Sequence, residues 1–231
     1  MNRYNNMRII VFSFIGILCV GVVLFVALIQ SNSKIINSES VDYLEPSDIL
    51  YEQQEYVINY QQDLQLPELP TGCEATALGT LLRLNDVDVT KIEVADAMPK
   101  NNDGEYIYSF YGNPFSQNGW ACMAPCSVIT AQKFLEKTGK SAVELKDVEL
   151  TNVPLPCAVW VTIDLDEPDY SGITRNGYPL FYNTHCLVVT AIDENTVKTI
   201  DPLKGYAEYN LDTFEKIYSA LGSQAVYIEN T

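Results

Sequence analysis

The chain has 231 residues, with 14 Lys and Arg against 30 Asp and Glu, a single His, 47% hydrophobic and 11% aromatic residues. This is the length of one ordinary domain plus an appendage, and the apolar content excludes a chain disordered by composition. A formal net charge of −16 argues against binding a phosphate backbone, and one imidazole excludes any site that needs two, such as a His-rich zinc centre. Histidine-dependent chemistry has one address, His185.

The N-terminal segment differs from the rest. Residues 1–8 carry Arg3 and Arg8, and residues 9–29 form an uncharged apolar run. About twenty such residues span a bilayer core as a helix. The run exceeds a secretory h-region, and no small-residue cleavage site follows it. A transmembrane signal anchor over 9–29 is therefore expected, with 1–8 cytoplasmic by the positive-inside rule and all that follows extracytoplasmic. Residues 30–55 are polar and read as a stalk, and residues 56–231 as one globular domain. The part beyond the anchor holds 12 basic and 30 acidic residues, a charge suited to solubility near a membrane surface.

Within the domain, Thr71 followed three residues later by Glu74 predicts a capping box. The helix behind it carries Ala75, Leu78, Leu81 and Leu82 at helical spacing and ends near Asn85. Thr90 and Glu93 repeat the capping signal before a shorter helix that ends at Met98-Pro99. Residues 101–120 read as a long irregular loop, whose Tyr106, Tyr108, Phe110, Tyr111 and Trp120 form either a folded aromatic loop or a groove lining. Pro125 opens a further helix with Val128, Ile129 and Phe134 inward and Gly139 as its stop. The period then changes. Short apolar runs at 158–163, 186–192, 197–200 and 225–228 predict strands, with Asp193-Glu194-Asn195 as a hairpin turn and a helix over 211–221 before the last strand. Helices first and an antiparallel sheet second make an α+β domain.

Cys73 falls in the first turn of its helix, directly after Gly72. Unpaired backbone N–H groups and the positive end of the helix dipole meet there, so the expectation is a thiol with a lowered pKa; a buried core cysteine is the plainer reading. A turn centred near residue 194 sets His185 opposite residue 203, one diagonal step from Asp201. A carboxylate there would orient the imidazole and stabilise its cation. Cys73, His185 and Asp201 together supply the nucleophile, base and orienter that Cys/His/Asp catalysis requires.

These residues also carry a family resemblance. The run Gln65-Leu-Pro-Glu-Leu-Pro-Thr-Gly-Cys73-Glu-Ala-Thr, the strand Thr184-His185-Cys-Leu-Val-Val-Thr and the stretch Ile200-Asp201-Pro-Leu-Lys-Gly205 resemble the C39-like cysteine peptidases of bacteria, from about residue 57 to residue 227. The resemblance implies a papain-like fold, Cys73 as nucleophile, His185 as general base and acid, and Asp201 as orienter. It also implies a Gln oxyanion donor upstream of the nucleophile, for which Gln65 fits best beside Gln61 and Gln62. The transporter-linked members that trim leader peptides usually read Asp-Cys-Gly at the nucleophile, whereas this chain reads Gly-Cys-Glu, so leader cleavage does not carry over. Cys186 directly after the histidine is a further departure.

The remaining motifs are weaker. Cys122 and Cys126 form a C-x₃-C without further ligands, so no metal and no cofactor is expected. Thiols outside the membrane tend to oxidise. Among Cys122, Cys126, Cys157 and Cys186, the pair Cys157–Cys186 is favoured because each residue begins a strand. Glu74 is accounted for by its capping role. The expectation is a membrane-anchored cysteine peptidase acting on a peptide or cell-envelope protein, with no nucleic-acid partner. The alternatives are a catalytically silent surface binding module, or an acyl or glutamine transferase using the same thiol.

Overall fold

A computed structural model describes residues 63–231. The expected cytoplasmic segment, signal anchor and stalk, the start of the domain at 56, and Gln61 and Gln62 lie outside the described residues. Among the described residues, no helix is long and apolar enough to cross a membrane.

Helix α1 (Cys73–Arg83) is buried along its whole length from Cys73 to Leu82, the polar Glu74, Thr76 and Thr80 included. A helix covered on every side sits inside its domain rather than on the surface. It packs on α2 (Lys91–Ala97), whose start is capped reciprocally by Thr90 and Glu93 as the spacing predicts. Residues 98–123 are mostly irregular, interrupted by the two-residue parallel strands β1 (Lys100–Asn101) and β2 (Phe110–Tyr111). Tyr106 and Phe110 are core residues of this segment.

Helix α3 (Ala124–Leu135) has Pro in its first turn. Its inward stripe is Ser127, Thr130, Ala131 and Leu135, whereas Ile129 is 40% exposed and Val128 and Phe134 are half-buried. The expected inward set of Val128, Ile129 and Phe134 is thus displaced by about one position. Small residues on the buried stripe let the helix lie close to β3 (Lys140–Lys146) and β10 (Gln224–Asn230). The helix ends at Leu135, and Gly139, at φ +71°, serves the turn into β3 instead.

The sheet has six antiparallel strands in the order β3-β10-β4-β7-β8-β9, with β4 (Cys157–Thr162), β7 (Thr184–Ile192), β8 (Thr196–Asp201) and β9 (Gly205–Asn210). Every residue of β4 is buried, and β7 is buried from His185 to Val189. Trp160 of β4 donates its indole N–H to the Cys122 carbonyl at 2.8 Å, tying the sheet to the loop before α3. The edge strands β3 and β9 and the hairpin β5 (Tyr170–Arg175) to β6 (Tyr178–Phe181) are absent from the sequence expectation. Strands β3, β5 and β9 are polar or largely exposed, whereas β6 buries Tyr178, Leu180 and Phe181 but is four residues long and interrupted by Pro179, which demotes it as a strand signal. Helix α4 (Leu211–Ala220) starts at an Asn210 side-chain cap and buries Phe214, Ile217 and Tyr218. The α+β arrangement of helices and an antiparallel sheet is the one expected.

The expected disulfide is not formed. Cys157 stands opposite Val189 and Cys186 opposite Trp160, a register that offsets the two cysteines along adjacent strands; Cys73, Cys122, Cys126, Cys157 and Cys186 are all free and buried. Among the described residues, no group of three or more His, Cys, Asp or Glu is arranged to hold a metal ion.

Candidate active site

The structure brings His185 and Asp201 together. Strand β8 pairs with β7 so that Val188 faces Ile200 at the end of the ladder, with His185 three residues beyond on β7 and Asp201 the next residue on β8. His185 Nε2 lies 2.9 Å from Asp201 Oδ1, and both side chains are buried. Asp201 also accepts the Leu203 N–H at 2.8 Å and the Tyr209 hydroxyl at 3.1 Å. Burial pushes the Asp201 carboxyl up, but the His185 contact, the Leu203 amide and Tyr209 outweigh it and hold the group below its ordinary value. An ionised Asp201 therefore accepts the Nε2 proton, which leaves the lone pair of His185 on Nδ1.

Cys73 is the first residue of α1, and Gly72 is the N-cap without a side-chain cap. The capping box expected from Thr71 and Glu74 does not form. Thr71 instead donates its hydroxyl to the Ser116 carbonyl at 2.9 Å, binding the 113–119 turn to the start of the helix. Gly119 makes this approach possible, because a Cβ there would lie 2.2 Å from the Thr71 hydroxyl. At Gly72 a Cβ would fall 2.8 Å from Leu69 Cβ, so packing of the chain against itself requires glycine.

Glu74 turns inward. Its Oε1 accepts the Cys122 N–H at 3.0 Å, and its Oε2 accepts the Cys73 thiol at 3.2 Å. The carboxyl is fully buried, and burial raises its pKa to about 7 against the opposing pull of the Glu74 and Cys122 amides, the Cys73 thiol and His185. Sequence reasoning gave this residue a capping role. The signal available was the position of this carboxylate directly after Cys73 in the chain.

The thiol also departs from expectation. Burial, then the neighbouring Glu74 and Cys186, drive Cys73 well above an ordinary cysteine, and the backbone amide of Cys186 pulls only weakly the other way. Desolvation and the adjacent carboxylate outweigh the helix terminus that predicted a lowered value. Helix α1, which begins at Cys73, packs on β7, the strand that carries His185 and Cys186.

Gln65 is buried close to the Asp201 turn, its backbone N–H donating to the Pro202 carbonyl at 2.8 Å. Its side-chain Nε2 donates to the Pro70 carbonyl at 3.1 Å, and its Oε1 has no partner among the described residues. A primary amide carries two N–H donors, and among the described residues only one of them has an acceptor. Beside the site, Trp120 stacks on Tyr111 and on the exposed Tyr182, with ring centroids 5.4 Å and 5.6 Å apart. Of the aromatics in the 101–120 loop, Tyr106 and Phe110 fill the core, while Tyr111 and Trp120 join this stack and Tyr108 is exposed.

Comparison with known proteins agrees with this architecture. YvpB, an uncharacterised protein of Bacillus subtilis strain 168, is 28% identical over 193 residues, covering 75% of this chain and 74% of that protein. A solved Bacillus anthracis chain assigned to the C39-like peptidases superposes with a TM-score of 0.63 at 24% identity, covering 73% of this chain and 93% of its own, which shows a shared fold. Residues 53–226 match the Peptidase_C39 like family, and the chain belongs to that family.

Proposed function

We propose that the protein is a cysteine peptidase in which Cys73 attacks a peptide or other amide carbonyl. The observation that carries this reading is the buried His185–Asp201 pair at 2.9 Å, which commits Nε2 to the carboxylate and leaves Nδ1 to exchange the proton of a thiol on the neighbouring helix end. His185 takes the Cys73 proton at Nδ1 as sulfur bonds to the carbonyl carbon, then gives it to the leaving amine. Water attacks the resulting thioester, with His185 accepting its proton, and the acid product leaves as Cys73 regains its hydrogen. The Cys73 backbone N–H, at a helix start where no intrahelical acceptor exists, and the second Gln65 side-chain N–H are the donors for the oxyanion.

The test is hydrolysis of an unbiased peptide library by the full chain, read by mass spectrometry. Products that vanish with Cys73→Ala and with His185→Ala support the reading; products that survive either change overturn it. The apolar run over 9–29 and the basic flank before it support an anchored protein whose domain faces a peptide or cell-envelope protein outside the membrane. An alkaline phosphatase fused after Thr231 should be active in that topology, and an inactive, stably produced fusion would refute it.

A further inference from the structure

Glu74 is a buried carboxylate that the peptidase reaction above does not use. It is too well placed to be a passive core residue, since apolar side chains of similar volume fill such positions without a desolvation cost. One oxygen is fixed by the Cys122 amide at 3.0 Å, and the Cys122 carbonyl is in turn fixed by the Trp160 indole at 2.8 Å. The other oxygen is thereby aimed at the Cys73 sulfur, 3.2 Å away. The groups facing it are Cys73 on its own helix, Cys122 ahead of α3, and His185 and Cys186 on β7; Asp201 on β8 stands behind His185. Within this set, Glu74 and Asp201 are the two carboxylates.

We propose that Glu74 is a positioning residue that sets when Cys73 can ionise: as a carboxylate it holds the sulfur as a hydrogen-bond donor, and as a carboxylic acid it turns its own O–H onto the sulfur and favours the thiolate. This rests on the reading of Cys73 as nucleophile and adds a control to it. The proton balance is simple. Glu74 takes a proton from solvent, forming its O–H bond; the Cys73 S–H bond breaks, and that proton goes to Nδ1 of His185. The site then holds a thiolate, an imidazolium and an ionised Asp201, with a neutral Glu74 donating to sulfur. With Glu74 ionised, a thiolate would stand at 3.2 Å from a second anion in a dry pocket, which is the arrangement that like charges disfavour.

The substitution Glu74→Gln separates these roles. Its carbonyl oxygen can keep the Cys122 amide, while its NH₂ can only donate toward the sulfur, as the neutral acid would. The experiment follows the rate of iodoacetamide alkylation at Cys73 in the full chain across pH, with the modified cysteine identified by peptide mapping. The Glu74→Gln profile should move to lower pH by about one to three units, the span that removal of a close like charge produces. An unmoved profile in a folded Glu74→Gln chain overturns the proposal, because a purely structural Glu74 would change stability but not thiol ionisation. Difference infrared spectroscopy of the unsubstituted chain provides a second reading if the variant does not fold. A buried protonated-carboxyl band just below neutral pH should shift when Cys73 is alkylated, and its absence likewise overturns the proposal. Neither measurement needs turnover. A moved profile in a chain that cleaves no peptide would count against the peptidase reading alone.

Discussion

His185 and Asp201 sit on two strands joined by a short turn, whereas Cys73 and Glu74 sit at a helix start whose surroundings come from a loop 48 residues further along the chain. The first pair is positioned by register, a property of alternating side chains and turn length that local sequence contains. The second pair is positioned by what the 113–123 segment lays over it: the Ser116 carbonyl takes Thr71, and the Cys122 amide takes Glu74. The two halves of the site are therefore electrostatic opposites. Three donors hold Asp201 ionised, while burial beside Cys73 pushes Glu74 toward neutrality and the thiol away from ionisation.

The largest expected effect breaks the strand half. Asp201→Asn should lower kcat about 10²- to 10⁴-fold, since an amide can donate to Nε2 and favour the wrong tautomer; kcat on a cleavable peptide checks it, and a loss under tenfold would remove Asp201 as orienter. Gln65, tied by its backbone to Pro202 and by its side chain to Pro70 ahead of α1, lies between the halves. Gln65→Ala is expected to cost about 10²-fold in kcat with little change in KM, as for loss of one oxyanion donor. Equal losses in binding and turnover would assign Gln65 to substrate binding instead.

The contrast between the carboxyls also predicts opposite pH dependences of stability. Asp201 has a lowered folded pKa, so its stabilisation is complete above its unfolded value of 3.8 and is lost as pH falls through the folded value. Glu74 has a folded value near 7 against 4.5 unfolded, so the folded state binds the extra proton and stability declines as pH rises between these values, by up to about 3 kcal/mol. Denaturant melts of Glu74→Gln should lack that decline; an identical slope in both chains would show that Glu74 does not titrate there. The smallest effect belongs to the cap of α2, away from both carboxyls. Thr90→Ala should cost about 1 kcal/mol in the same melts and leave kcat unchanged.

What the sequence made legible follows the same division. Apolar runs marked β4, β7, β8 and β10, and the Asp193–Asn195 turn was enough to set His185 against the region of Asp201. The edge strands β3 and β9 escaped because half of each faces solvent and no apolar run distinguishes them from loop. The face of α3 was misjudged because its buried stripe is built from Ser127, Thr130 and Ala131, residues too small or polar to mark a core position. At α1, Thr71 and Glu74 have the spacing of a capping box, but tertiary partners took both side chains. The Cys73 thiol was misjudged for the same reason: a helix terminus is visible in sequence, but burial by a distant loop is not.

The central claim is that His185, oriented by Asp201, activates Cys73. Its most direct test is the alkylation rate of Cys73 relative to Cys122, measured site by site in the unsubstituted chain and in His185→Ala. The account predicts that Cys73 reacts faster than Cys122, and that the substitution slows Cys73 while leaving Cys122 unchanged. Equal rates at both thiols, or a Cys73 rate indifferent to the loss of His185, would contradict it.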